Sequence, residues 1–297
     1  MERQSVKWHK RNRKDRYTLK VSFMPHGATK IDQLVPDRII TVDPVLNKGE
    51  CARLIGEAES AGFKPSAPSG GGHGQHPTTG ARTSQFHVRE DEKLADLLWQ
   101  KVREAVPGSL HAIKYVPYMH SESKGDEFDA VGVSPHMRFY RYNPGDYVLK
   151  HDDYRMERFR YDKETDKYYQ QMTFLTLLVY LNDEFEDGCT AFWTKYAQVG
   201  TSGHCRFLRT SNDNDFNKGN PEADLRVKPV TGKALINDHM VQHEGEAPLK
   251  GRKYVMRTDI LHEKEVPKDR VNLKFSKNAN VTEWRKHYEP SCLNYTE

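Results

Sequence analysis

Apolar positions along this chain follow two periods in turn. Arg38–Val42 (RIITV), ended by the turn pair Asp43-Pro44, predicts a short strand. After Asn47, residues Cys51, Leu54, Ile55 and Ala58 recur at helical spacing. They predict a helix over about Lys48–Ala61, with Asn47 as N-cap and Gly62 at the C-cap. A second helix is expected from Glu90-Asp91-Glu92 to about Val106, with Leu94, Leu97, Leu98, Val102 and Val106 on one face. Pro107-Gly108 stops it. From Tyr115 onward the pattern changes to strands. Met137–Tyr142 and Tyr147–Asp153 flank the turn signal Asn143-Pro144-Gly145. Met172–Leu181 (MTFLTLLVYL) is apolar throughout, as a strand buried on both faces would be. Thr190–Trp193, Lys233–Ile236 and Lys253–Leu261 complete about seven strands. Two helices followed by strands make a mainly β (α+β) core with a helical buttress.

Three stretches lack a period. Pro65–Gly80, with His73 and His76, reads as a loop, either a surface loop or a mobile flap over a pocket. The charged Tyr154–Tyr169 separates two strands, and Val199–Arg226, rich in Gly, Asn and Asp, reads as an insertion. No internal repeat or linker is visible. The expected organisation is a basic arm at 1–35, one domain at 36–275 and a polar tail at 276–297.

Composition narrows the class. Mean hydropathy is −0.86 and 30% of the 297 residues are charged, yet 12 Phe, 15 Tyr and 4 Trp are too many for a disordered chain. No apolar run approaches the roughly 18–20 residues of a membrane span, and the first residues lack the apolar region of a secretory signal. Cys51, Cys189, Cys205 and Cys292 are scattered, so reduced thiols in an intracellular, cytoplasmic protein are expected. The net charge of +4 hides a cluster of Lys7, Lys10, Arg11, Arg13, Lys14, Arg16 and Lys20. That cluster is a solvated arm, a nuclear address or a nucleic-acid contact.

The candidate chemistry sits at the end of Tyr147–Asp153. Side chains alternate faces along a strand, so His151 and Asp153 point together and Asp152 points away. An imidazole and a carboxylate side by side are two thirds of the facial triad of non-haem Fe(II) oxygenases. Candidates for the third ligand are His204, His239, His243, His262 and His287. His243 stands just before the last strong strand, where a closing strand of a double-layered barrel would bring it beside His151. In that last strand Lys253, Val255 and Arg257 share a face. Facing inward, the two cations need anionic partners, for which a dicarboxylate is suited.

With these residues in view, the chain resembles the Fe(II)- and 2-oxoglutarate-dependent dioxygenases of the prolyl 4-hydroxylase catalytic-domain type. Tyr142, Gly145, His151 and Asp153 are similar to the family's Tyr-x-x-Gly and His-x-Asp. Thr176–Asn182, Gly188–Phe192, the segment through Pro229, Gly232, Ala234 and Leu235, the pair His243 and Lys253, and Arg82-Thr83-Ser84 follow its order. Trp193 stands where the family usually has Pro, Val148 where it often has Phe, and Asp187-Gly188 replaces Gly-Gly. The resemblance implies a double-stranded β-helix (jelly-roll, cupin-like) core with two N-terminal helices packed on it. It implies Fe(II) held by His151, Asp153 and His243, and 2-oxoglutarate held by Lys253 with Tyr142 or Thr190. It leaves Arg82, Arg257 and Trp193 for substrate or supporting contacts. O₂ and ascorbate are the further requirements it implies, and Asp153 argues against the halogenase variant. The expected reaction is hydroxylation of an unactivated C–H bond of a peptide or small molecule, with Glu157–Tyr169 and Gly200–Arg226 shaping the substrate mouth. The competing readings are oxidation of nucleic acid or a free amino acid within the same superfamily, and a barrel-shaped binding protein without turnover.

Overall fold

Asn47 opens the first helix, Lys48–Ala61, through a reciprocal capping box. Its side chain accepts from the Glu50 amide at 2.9 Å, and the Glu50 carboxylate accepts from the Asn47 amide at 2.7 Å. The second helix, Glu92–Val102, starts where Asp91 caps the Leu94 amide at 3.0 Å, and it tightens into a 3₁₀ turn at Arg103–Ala105 short of the expected end. The computed structural model describes residues 29–66, 82–117, 126–194, 222–268, 285–287 and 291–294. His73, His76, the basic residues 7–20, His204 and most of the 200–226 insertion lie outside them. No helix among the described residues is long and apolar enough to cross a membrane.

Eight strands build the core: β1 (His136–Tyr142), β2 (Val148–His151), β3 (Lys167–Tyr180), β4 (Thr190–Trp193), β5 (Leu225–Val227), β6 (Ala234–Asp238), β7 (Gln242–Gly245) and β8 (Lys253–Val266). One sheet has the order β1-β8-β3-β6, the other β2-β7-β4-β5, and every pairing is antiparallel. Most successive connections cross from one sheet to the other. That order is a jelly roll, the double-stranded β-helix expected.

The larger sheet is extended on both sides. Gln85–Glu90 pairs with β1, Ile39–Asp43 with β6, and Lys30–Val35 with Ile39–Asp43. Asp126–Val133 pairs with the far half of β8. Two pieces of the polar tail also join: Arg285–His287 lies along Arg155–Asp162, and Ser291–Asn294 along Ala112–Pro117.

The charged stretch Tyr154–Tyr169, expected only to separate two strands, contains a strand of its own. Arg155–Asp162 forms a hairpin with the start of β3, so this stretch extends the sheet. Its pairs are polar: Gln170 donates to Glu157, Arg158 to Gln171 at 2.6 Å, and Gln171 to Glu263 at 3.0 Å. A strand that satisfies itself through cross-strand polar pairs has no apolar alternation to find.

The period of two in the larger sheet sorts side chains into two cores. Leu175, Leu177, Val179, Ala234, Ile236, Tyr254 and Met256 face the helices and pack with Leu54, Ala58, Leu94 and Leu98. Tyr140, Tyr142, Tyr180, Leu235 and Val255 turn the other way, into the barrel, beside Phe192 and Val148 of the smaller sheet. One tight turn holds the first helix to this frame. Gly232 has φ +85°, and a Cβ there would stand 1.9 Å from the Leu46 carbonyl oxygen. Its own carbonyl accepts from the Val45 amide at 2.8 Å. Only glycine fits a turn in that conformation, pressed against backbone.

Candidate active site

β2 and β7 are neighbours in the smaller sheet, with His243 directly opposite His151. Asp153 lies just past the end of β2, its amide donating to the His239 carbonyl at 2.9 Å. His151, Asp153 and His243 thereby offer three ligand atoms within 4.8 Å of one another. His151 Nε2 is 3.9 Å from Asp153 Oδ1, and His243 Nε2 is 3.6 Å from Asp153 Oδ2.

Backbone contacts choose the tautomer of both rings. His151 Nδ1 donates to the Leu149 carbonyl at 2.7 Å, and His243 Nδ1 to the Val241 carbonyl at 2.9 Å. Each ring then turns its Nε2 toward the carboxylate, the atom a metal would take. Burial, with help from His243, pushes His151 down to about 3 against the pull of Asp153, so this ring stays neutral at ordinary pH.

Asp153 carries the opposite charge state. Burial raises its pKa, but Arg257, His243 and His151 outweigh burial and hold it well below the ordinary carboxylate range. Arg257 Nη2 lies 3.0 Å from Asp153 Oδ1 and 3.2 Å from Asp259 Oδ1, and Thr176 donates to Asp153 Oδ2. Asp259 in turn meets the buried His239 at 3.2 Å. Two of the expected candidates are thereby given structural places, since His262 Nε2 meets the Leu110 carbonyl at 2.8 Å and is fully buried. Asp152 lies beyond the strand and its oxygens are absent from the cluster of three.

β8 brings the second group of charges. Lys253 is paired with Tyr142 of β1, and Arg257 with Arg138 of β1 and Leu178 of β3. Lys253 is 2% exposed, and its ammonium donates to the Gly188 carbonyl at 2.7 Å over the face of Tyr142. No carboxylate among the described residues forms an ion pair with it. Burial pulls its pKa down to about 8. Thr190 of β4 shares its hydroxyl with the Tyr180 phenol at 2.7 Å.

One pocket gathers these residues. His151, Asp153, His243, Lys253, Tyr142, Thr190, Arg82 and Arg257 all line it. Trp193 is the exception: it is buried in β4 beside Gln242, with the Lys150 ammonium 4.8 Å from its ring, and does not line the pocket. The step from Thr190 to Trp193 is odd, which puts the two side chains on opposite faces of β4. Tyr140, Thr176, Leu178 and Val255 line the pocket as well. Alternation would have found them, since Tyr140 precedes Tyr142 by two and Thr176 and Leu178 lead to Tyr180.

No family model matches the chain, and no curated protein matches it. Among solved structures, it is similar to the viral collagen prolyl hydroxylase vCPH of Paramecium Bursaria Chlorella virus-1 in its 2OG complex. Identity there is 17% over 76% of this chain and 97% of that one, with a TM-score of 0.42. It is similar to a Pseudomonas putida prolyl-4-hydroxylase at 14% identity over 76% and 93%, TM-score 0.40. It is also similar to SnoN, a non-heme alpha ketoglutarate dependent epimerase from nogalamycin biosynthesis, at 13% over 83% and 89%, TM-score 0.44.

Proposed function

We propose that the chain is an Fe(II)- and 2-oxoglutarate-dependent oxygenase that hydroxylates an unactivated C–H bond. The observation that carries this reading is the pairing of two unlike features in one pocket: the His151–Asp153–His243 cluster and the buried ammonium of Lys253, which forms no ion pair among the described residues. Two neutral imidazoles and one carboxylate on one side of an ion are the donor set of the non-haem Fe(II) oxygenases. A lone ammonium in an aromatic-walled pocket suits one end of a dicarboxylate. When bound, iron and 2-oxoglutarate supply the oxidation: the co-substrate and O₂ give succinate and CO₂, and one oxygen atom enters the substrate C–H bond.

The chain's own residues set the conditions for that chemistry. Leu149 and Val241 carbonyls hold both rings with Nε2 inward. Thr176 and Arg257 fix the carboxylate's orientation through both of its oxygens. Lys253, over the Tyr142 face and with the Thr190 hydroxyl across the same pocket, would hold the distal carboxylate. Tyr142 stays a neutral donor, since burial pushes its phenol up to about 12. Val148, Leu178 and Val255 limit water at the reacting centre. Ascorbate belongs to the proposal as a reductant and is tested by adding it to the assay.

The test is 2-oxoglutarate binding by calorimetry to Mn(II)-loaded protein, followed by succinate release from the Fe(II) form in air. Binding is expected only with metal present, with slow succinate release even without substrate. Iron-loaded protein that neither binds 2-oxoglutarate nor releases succinate sinks the reading.

A further inference from the structure

We propose that the molecule oxidised at this site carries a free carboxylate, and that Arg82 is the cation that receives it. The proposal rests on the oxygenase reading and adds its substrate class. Arg82 enters the pocket from outside the barrel sequence, its backbone bridged to Val148 of β2. Its guanidinium lies 4.9 Å from the Tyr140 ring centroid. Burial acts on it most, its guanidinium donates a hydrogen bond to the Tyr140 hydroxyl, and Tyr142 and Arg257 act on it as well; among the described residues it forms no ion pair.

The pocket's positive side chains are Lys253, Arg257 and Arg82, and the negative ones are Asp153 and, beyond the lining, Asp259. Arg257 is matched by Asp259 at 3.2 Å. A divalent ion is matched by Asp153 and one carboxylate of 2-oxoglutarate, and Lys253 by the other carboxylate. Among the described residues Arg82 alone is left over, one positive charge. Arg138, 3.9 Å from the second oxygen of Asp259, does not line the pocket and keeps 23% of its side chain exposed to water. Burial alone would raise the Tyr140 phenol, but Arg82, Arg257 and Arg138 hold it below its ordinary value, a sign of the positive field at that wall.

A half-buried cation beside the reacting centre is costly unless the complex supplies its partner. The planar fork of a guanidinium accepts a carboxylate through two parallel hydrogen bonds. A phosphate monoester, at nearly two charges, would exceed the balance, and an uncharged residue inside a polypeptide would leave it unmet. The chemistry therefore fits a small acid whose carboxylate stays free while a C–H bond elsewhere in it is oxidised.

The test uses the full chain loaded with Mn(II) and N-oxalylglycine, and calorimetry. The probes are the proteinogenic L-amino acids and simple monocarboxylic acids, each beside its own carboxamide, together with glycerol phosphate. At least one acid is expected to bind about tenfold or more tighter than its amide. Arg82→Met should bring that ratio close to one, and Arg82→Lys should recover part of it. N-oxalylglycine affinity, measured on each protein, reports whether the pocket is formed; if Arg82→Met fails to fold, the wild-type ratio and Arg82→Lys decide. The proposal is overturned by acids that bind no better than their amides, by a preference for glycerol phosphate, or by a ratio that survives Arg82→Met. Wild-type protein that does not bind N-oxalylglycine overturns the oxygenase reading itself, and this proposal with it.

Discussion

Lys253 and Tyr254 are consecutive residues that live in different environments. Lys253 points into the barrel, over Tyr142 and toward the pocket shared with the His-Asp-His cluster. Tyr254 points outward to the first helix, where its hydroxyl donates to Glu59 at 2.5 Å and Arg141 reaches the other Glu59 oxygen at 2.7 Å. The same division runs through β3, where Leu175, Leu177 and Val179 meet the helices while Thr176, Leu178 and Tyr180 face inward. The outer face is apolar and can be rigid because it need do nothing else. The inner face holds charges that a purely stabilising core would exclude, and it keeps them in place because the outer face holds the strands. If that division is real, substitutions on the two faces should separate into two readouts: binding and turnover on one side, stability on the other.

The largest expected effect is on the inner face. Asp153→Ala removes the cluster's carboxylate and strips Arg257 of one of its two anionic partners. Iron content should fall and succinate release should drop to background, with the fold retained by circular dichroism. Turnover that persists in this variant removes Asp153 from the metal centre.

Lys253→Ala comes next. The 2-oxoglutarate requirement should rise by about tenfold or more, as expected when one member of a buried charged pair is lost, while iron content holds. Loss of iron in its place would assign Lys253 a different role. Its ionisation gives a second measurement. Because burial lowers this lysine from 10.5 to about 8, the folded chain binds fewer protons than the unfolded chain between those values. Stability of the cofactor-free wild type should therefore gain, relative to Lys253→Ala, as pH rises from about 8 to 10.5. Co-substrate affinity should weaken over the same rise as the cation is lost. Urea titrations across this range, run on both proteins, check the sign.

How much of this division the sequence carries depends on whether a residue's face is marked by hydrophobicity. Alternation in Lys253–Arg257 placed two cations and Val255 on one face, and Met172–Leu181 read as doubly buried because both of its faces are. Asn47 and Gly62 bounded the first helix because capping is local chemistry. His243 was found by resemblance to a known spacing; the sequence alone left it among five histidines, and the register that sets it opposite His151 is non-local. Arg155–Asp162 was missed for the converse reason. Its stability comes from pairs such as Gln170 with Glu157, whose partners lie on another strand, so no periodic signal marks it. Trp193 reads as a contact because a large aromatic stands beside a site, while strand parity puts it on the face of β4 opposite Thr190.

On the outer face the expected effects are smaller and of another kind. Leu177 is fully buried beneath the helices, and Leu177→Ala should cost about 2–5 kcal/mol, read as a lower urea midpoint. Below that midpoint the 2-oxoglutarate requirement should stay at the wild-type value, since Thr176 and Leu178 still face the pocket.

Tyr254→Phe is the mildest and the most discriminating. It removes one hydroxyl from the clip between β8 and the first helix and leaves Glu59 paired with Arg141. The expected cost is about 1 kcal/mol, because the carboxylate keeps a charged partner. The residue lies one position from Lys253, so any effect transmitted along the strand would reach the proposed co-substrate anchor directly. An unchanged 2-oxoglutarate requirement, beside the large rise in Lys253→Ala, would show that the faces are mechanically separate. A comparable rise in both variants would mean that the helix clip sets the position of the Lys253 ammonium, and the outer face would then belong to the site.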